Sequence, residues 1–177
     1  MKSNDLSIPF YLYKVNNWEE KKKKLISCLN QLKRKKIGNV ITSQMLGNVE
    51  ILSEEIEKFQ NEIDVKLLAS ESWFQLYENG MNHSVHNHGA IGFSSICYVS
   101  FKKEIHKSTK FVLPFLNPID GSVQHYSPNV DEGFIIFFPS NLMHYAPVNT
   151  SCENRIIFSF NLEVDYTQDC SQEYKYK

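Results

Sequence analysis

Ser72-Trp73-Phe74-Gln75-Leu76-Tyr77-Glu78-Asn79-Gly80 opens the stretch that decides the fold, and Met81-Asn82-His83-Ser84-Val85-His86-Asn87-His88 continues it. Aromatic and branched side chains run to Tyr77, and Asn79-Gly80 is a turn signal. The same texture extends outward. Candidate strands are Val65–Ala69, Ser72–Tyr77, Val85–His88, Phe93–Phe101, Lys110–Pro114, Gly133–Phe138 and Arg155–Leu162. Asn117-Pro118, Asp120-Gly121, Ser127-Pro128 and Pro139-Ser140 punctuate them. Short strands without intervening helices predict an antiparallel sandwich or barrel.

Upstream, the period changes. Leu25, Cys28, Leu29 and Leu32 recur at helical spacing. Asn17 can cap that helix, with Glu20 three residues on as a capping box, and Gly38 can end it. A second helix is expected over about residues 48–62, with Leu52, Ile56, Phe59 and Ile63 on one face and Glu50, Glu54, Glu55 and Glu57 on the other. The expected architecture is therefore mainly β with N-terminal helices. Residues 1–63 form a helical segment packed on a barrel of residues 64–177, one domain overall.

The chain has 177 residues and a net charge of −1, which hides an asymmetry. Residues 1–40 carry ten Lys/Arg against three Asp/Glu, and the remainder nine against seventeen. The lysines at 21–24 and 33–36 read either as an anionic-surface patch or as a solvated helix face. Without interleaved aromatics the second reading is preferred, and no nucleic-acid partner is expected. No apolar run approaches the ~18 residues of a membrane span, and no charged-then-apolar leader opens the sequence, so a soluble, unsecreted protein is expected. Cys28, Cys97, Cys152 and Cys170 form no C-x-x-C pair. Their spacing suggests a reducing compartment, the cytoplasm.

His86-Asn87-His88 is an i, i+2 pair, so on a strand both imidazoles share one face and can converge on one metal ion. His144 follows the strand Gly133–Phe138 and its turn, and an antiparallel neighbour could bring it beside the pair. Ring nitrogens about 3–4 Å apart are the expectation for ~2 Å metal–nitrogen bonds. Taken alone, H-x-H is also what chance pairing of surface histidines gives. His83 either lines the pocket entrance or is exposed. His125 reads as exposed loop, His106 as solvent-facing among lysines, and Cys97 as packed core.

A resemblance adds context over residues 71–162. Tyr77-Glu78-Asn79-Gly80 followed by His86-Asn87-His88 is similar to the Y-x-x-G turn and H-x-D motif of iron(II)- and 2-oxoglutarate-dependent dioxygenases of the prolyl-hydroxylase type. Ser94-Ser95-Ile96-Cys97-Tyr98-Val99 resembles the strand that follows. Glu132-Gly133-Phe134 through Pro139, then His144, Pro147-Val148 and Arg155, resembles the distal block. The resemblance implies a double-stranded β-helix, with Fe(II) as cofactor and 2-oxoglutarate as cosubstrate. It implies that His86 and His144 are iron ligands. It further implies that Arg155 pairs with the C5 carboxylate, that Tyr98 hydrogen-bonds it, and that Tyr77 stands near the pocket wall. Guanidinium suits that task on chemical grounds, since its fork meets a carboxylate bidentately. Arg155 could instead be a surface residue pairing with Glu153 or Asp165.

His88 departs from the family pattern, which places a carboxylate there. It either ligates in a three-histidine site, or leaves a position to water, halide or another carboxylate, or marks a zinc enzyme. The first is preferred, because H-x-H keeps the same-face geometry. The implied activity is hydroxylation of a small-molecule or peptide substrate. The alternatives are a three-histidine enzyme without 2-oxoglutarate and a non-enzymatic binding jelly roll. The pattern chooses neither a substrate nor an oligomeric state.

Overall fold

The structure is a computed structural model and describes residues 8–45 and 47–166. Cys170 lies outside the described residues. The elements in order are β1 (Tyr11–Lys14), α1 (Trp18–Gln31), β2 (Lys35–Ile37), β3 (Val40–Met45), a 3-10 turn (Val49–Leu52) and α2 (Ser53–Ile63). Then come β4 (Leu67–Tyr77), β5 (His83–His86), β6 (Phe93–Ser100), β7 (Lys110–Leu116), β8 (Val123–Tyr126), β9 (Phe134–Pro139), β10 (His144–Ala146) and β11 (Arg155–Val164). Seven strands form one antiparallel sheet in the order β1-β9-β6-β11-β4-β3-β2, and four form a second in the order β5-β10-β7-β8. This is the expected mainly-β double-stranded β-helix carrying two helices. No helix among the described residues is long and apolar enough to cross a membrane.

Strand alternation sorts the core into two layers. On β9, Ile135 and Phe137 face the helices, while Ile136 and Phe138 face the second sheet. On β11, Phe158 and Phe160 pack under α1 and α2 with Leu25, Leu29, Leu52 and Phe59. Ile157 points the other way, into the space between the sheets. Cys97 is fully buried on the helix side, opposite to Tyr98, as expected.

The N-terminal segment differs from the reading as purely helical. It gives β1, β2 and β3 to the larger sheet, and β3 pairs directly with β4 from Ile41–Leu76 to Met45–Ser72. Helix α1 stops at Gln31, and Gly38-Asn39 turns the β2–β3 hairpin, with Ile37 opposite Val40. Gly38 takes φ 58°, which suits such a tight turn. The capping box does not form. Asn17 is itself left-handed and makes no side-chain cap, and Glu20 pairs instead with Lys24 at 2.7 Å.

The basic and acidic helix faces meet each other. Lys21 is buried and reaches both carboxylate oxygens of Glu55, at 2.9 and 3.0 Å, and Glu55 also accepts the Asn16 N–H at 2.9 Å. Lys22 pairs with Glu132 on the loop before β9. Part of the charge asymmetry along the chain is therefore internal complementarity. Gly133, at φ +78°, follows that Glu132, and a Cβ there would sit 2.9 Å from the Trp18 indole of α1. The glycine that opens the β9 block is a packing requirement.

Candidate metal centre

Between the two sheets lies a narrow cavity with room for about 10 Å³ of solvent. Trp73, Gln75 and Tyr77 of β4, Ile157 and Ser159 of β11, and Ile96 of β6 form one wall, and the histidines stand opposite. A groove of about 540 Å³ between α2 and β4 is larger, but no histidine or cysteine lines it. The candidate metal-ligating histidines are all in the smaller space.

His86 on β5 and His144 on β10 face each other directly in the ladder. His88 lies two residues beyond the end of β5, yet it stays with them. Its N–H is held by the Ser140 carbonyl at 2.8 Å, and Ser140 N–H donates in turn to the Gly92 carbonyl at 3.0 Å. Gly92 has φ +89°, and a Cβ there would lie 2.4 Å from the Leu162 carbonyl oxygen, so this close approach requires glycine. The ligand atoms of His86, His88 and His144 lie within 4.8 Å of one another. That is looser than the expected 3–4 Å.

Hydrogen bonds orient the rings. Nδ1 of His86 donates to the Ser84 carbonyl at 2.7 Å, and Nδ1 of His144 to the Leu142 carbonyl at 2.9 Å. Each Nε2 is thereby left with a free lone pair, the arrangement common among metal-ligating histidines. Burial, reinforced by neighbouring imidazoles, pushes His144 down to about 3 and His88 to about 4. Both are neutral at physiological pH, as ligation requires.

Tyr98 is buried, and its hydroxyl accepts the Thr109 N–H at 3.3 Å. Tyr77 lines the cavity and donates to Gln75 Oε1 at 2.8 Å. Arg155 is 2% exposed and lies on the inward face of β11 with Ile157 and Ser159. It sits one layer behind the lining, with its guanidinium 4.3 Å over the Tyr77 ring. It donates to the carbonyls of Lys107 and Pro147 at 2.6 and 2.8 Å, and among the described residues no carboxylate pairs with it. The surface pairing with Glu153 or Asp165 is not what the fold makes.

The structure adds and corrects residues. His83 is half-buried in the cavity wall, with Nδ1 2.9 Å from Nε2 of Gln75. Gln75 was not singled out from the sequence. Its signal was its place in Trp73-x-Gln75-x-Tyr77, a polar residue on the inward face of a central strand. His106 is not solvent-facing but 5% exposed, accepting the Lys102 N–H and donating to the Glu153 carbonyl. His125 is exposed but lies on β8, opposite Val112.

Residues 71–161, just over half of the chain, match the family model for 2OG-Fe(II) oxygenases. The chain belongs to the 2OG-Fe(II) oxygenase family. No curated protein matches its sequence. Among solved structures it is similar to HygX from Streptomyces hygroscopicus with nickel, 2-oxoglutarate and hygromycin B, with 10% identity and a TM-score of 0.68 over 90% of this chain and 84% of that one. It is similar to the α-ketoglutarate-dependent epimerase SnoN, with 13% identity and a TM-score of 0.67 over 88% and 77%. The viral collagen prolyl hydroxylase of Paramecium Bursaria Chlorella virus-1 gives 14% and 0.62 over 86% and 94%. At these identities the likeness is one of fold. Membership in the 2OG-Fe(II) oxygenase family brings dependence on iron(II) and 2-oxoglutarate. The donor set fits, because imidazole nitrogens converging on one point suit iron(II).

Proposed function

We propose that the protein is a 2-oxoglutarate-dependent hydroxylase whose iron(II) is held by His86, His88 and His144. The observation that carries this reading is the convergence of the three imidazoles, two of them with Nδ1 already committed to backbone carbonyls. His88 takes the place of the family's carboxylate, which leaves the ligand set without negative charge. Iron(II) with 2-oxoglutarate supplies the oxidation of a substrate C–H bond at the expense of oxygen and the cosubstrate. The residues of this chain bind and orient. Arg155, a buried cation that no carboxylate among the described residues pairs with, meets the C5 carboxylate, with Tyr98 and Tyr77 beside it. Trp73, Ile96 and Ile157 keep the wall apolar and limit water at the reacting centre.

The substrate is a small molecule or a peptide, and hydroxylation is proposed over epimerisation or ring closure as the outcome. The test is succinate formation by the iron-loaded protein supplied with 2-oxoglutarate and oxygen. Iron-dependent succinate that disappears in His144→Ala and His86→Ala is expected. Metal binding with no succinate under any condition would turn the assignment toward a three-histidine enzyme without 2-oxoglutarate.

A further inference from the structure

Four imidazoles meet at the cavity, and they do not use their ring nitrogens alike. In His86 and His144 each Nδ1 faces a carbonyl, which only accepts, so Nδ1 carries the proton and Nε2 the lone pair. His83 is in the opposite situation. Its Nδ1 faces Nε2 of Gln75 at 2.9 Å, and an amide nitrogen only donates. Nδ1 of His83 therefore accepts, and in the neutral ring the proton sits on Nε2. In this orientation Gln75 Oε1 accepts the Tyr77 hydroxyl at 2.8 Å, so both ends of the amide are used; turned over, the amide would still meet the hydroxyl oxygen as an acceptor but would leave the Tyr77 proton without this partner. Tyr77 is fixed in turn under the Arg155 guanidinium. The His83 ring lies 4.1 Å from that of His86, centroid to centroid.

We propose that His83 is a hydrogen-bond donor of the metal centre and not a fourth ligand, and that Gln75 fixes this choice. The proposal rests on the reading of His86, His88 and His144 as the ligands. A protonated Nε2 cannot bind a metal ion. It can donate to an oxygen held at the metal, and the acceptor proposed is a carboxylate oxygen of 2-oxoglutarate. The converse tautomer would turn a lone pair toward the ligand cluster. A fourth imidazole would then take up one of the coordination positions that must stay open for the reacting molecules. Gln75 thus acts as a positioning residue. It decides which His83 nitrogen faces the cavity without touching the metal.

Two experiments on the whole chain test this. In protein labelled with ¹⁵N-histidine, long-range ¹H–¹⁵N spectra read each tautomer directly. His83, assigned by the loss of its signals in His83→Gln, should carry its proton on Nε2, and His86 and His144 on Nδ1. A proton on Nδ1 of His83 overturns the proposal. The second experiment inverts the lock. In Gln75→Glu the carboxylate only accepts, so His83 must place its proton on Nδ1 and free Nε2. Cobalt(II) should then bind about tenfold tighter or more, with an altered visible spectrum, and 2-oxoglutarate about tenfold weaker. Measured against His83→Gln, adding Gln75→Glu should produce neither effect, because no His83 nitrogen is left to invert. Their persistence without His83 overturns the proposal, as does 2-oxoglutarate affinity unchanged in His83→Gln alone. If Gln75→Glu does not fold, the spectra of the wild type and the His83→Gln titration still decide. A wild type that binds cobalt but no 2-oxoglutarate sinks the proposed function and the donor role together, and the tautomer and cobalt readings still judge the lock separately.

Discussion

A buried guanidinium without a carboxylate partner is costly unless an anion comes to meet it. Burial lowers the pKa of Arg155, while Tyr77 and Tyr98 act to raise it. Arg155→Ala should raise the KM for 2-oxoglutarate tenfold or more, consistent with the loss of about 1.5–3 kcal/mol for hydrogen bonds to a charged group. Metal affinity should be spared. Arg155→Lys keeps the charge without the fork and controls for the carbonyls of Lys107 and Pro147, and it should recover part of the loss. Steady-state kinetics at fixed iron distinguish these outcomes. The histidines set a pH dependence. Burial holds His83 and His88 near 4 and His144 near 3, against roughly 6.5 in an unfolded chain. The unfolded state thus binds more protons below about pH 6.5, and stability falls with pH from there toward 4. Metal-free protein should melt at a lower temperature at pH 5 than at pH 7.5. An equal or higher Tm at pH 5 would contradict the burial of these rings. His86, His88 and His144 were legible in the sequence because H-x-H and a distal histidine are patterns of spacing. Gln75, Ser140 and Gly92 were not, because their roles arise from cross-strand register, which a linear sequence does not display.

At the scale of elements, the Lys21–Glu55 pair joins α1 to α2, with the two side chains 10% and 3% exposed. Removing Glu55 leaves the buried Lys21 only the half-exposed Glu54 at 3.3 Å, so Glu55→Ala should cost less than the roughly 3–5 kcal/mol of a fully stranded charge, about 2–3 kcal/mol by chemical denaturation. Lys21→Met with Glu55→Leu should cost clearly less than either single change, because neither charge is left behind. Equal losses in single and double variants would mean that packing, not charge, dominates there. The helices themselves were readable from their apolar stripes. The β2–β3 hairpin was not. Lys35-Lys36-Ile37 is exposed and lysine-rich, without the alternation of a half-buried strand, and it extends the basic run of α1. Only tertiary pairing with β3 makes it a strand, as is common for edges.

For the molecule as a whole, the candidate site residues are unevenly anchored. Arg155 stands on β11, ten residues long and paired on both sides, within the seven-stranded sheet. His86 stands on β5, four residues long, at the rim of the smaller sheet, where its ladder partner β10 has three. An ion shared by His86, His88 and His144 would tie this rim to its neighbour. Ligand binding to the native state stabilises it by about 2.7 kcal/mol at a hundredfold excess over Kd. Nickel(II) should therefore raise the Tm, and His144→Ala should abolish the rise.

The weakly anchored rim has a consequence for the protein in solution. When β5 lifts, β10 offers bare N–H and C=O groups, with Phe111 behind it, to any extended chain that drifts past. Iron would then guard solubility as well as carry out chemistry. Protein stripped by a chelator and held at mild heat should cloud, and added nickel(II), which supports no turnover, should keep it clear. Equal turbidity with and without the ion would mean that the rim stays shut on its own.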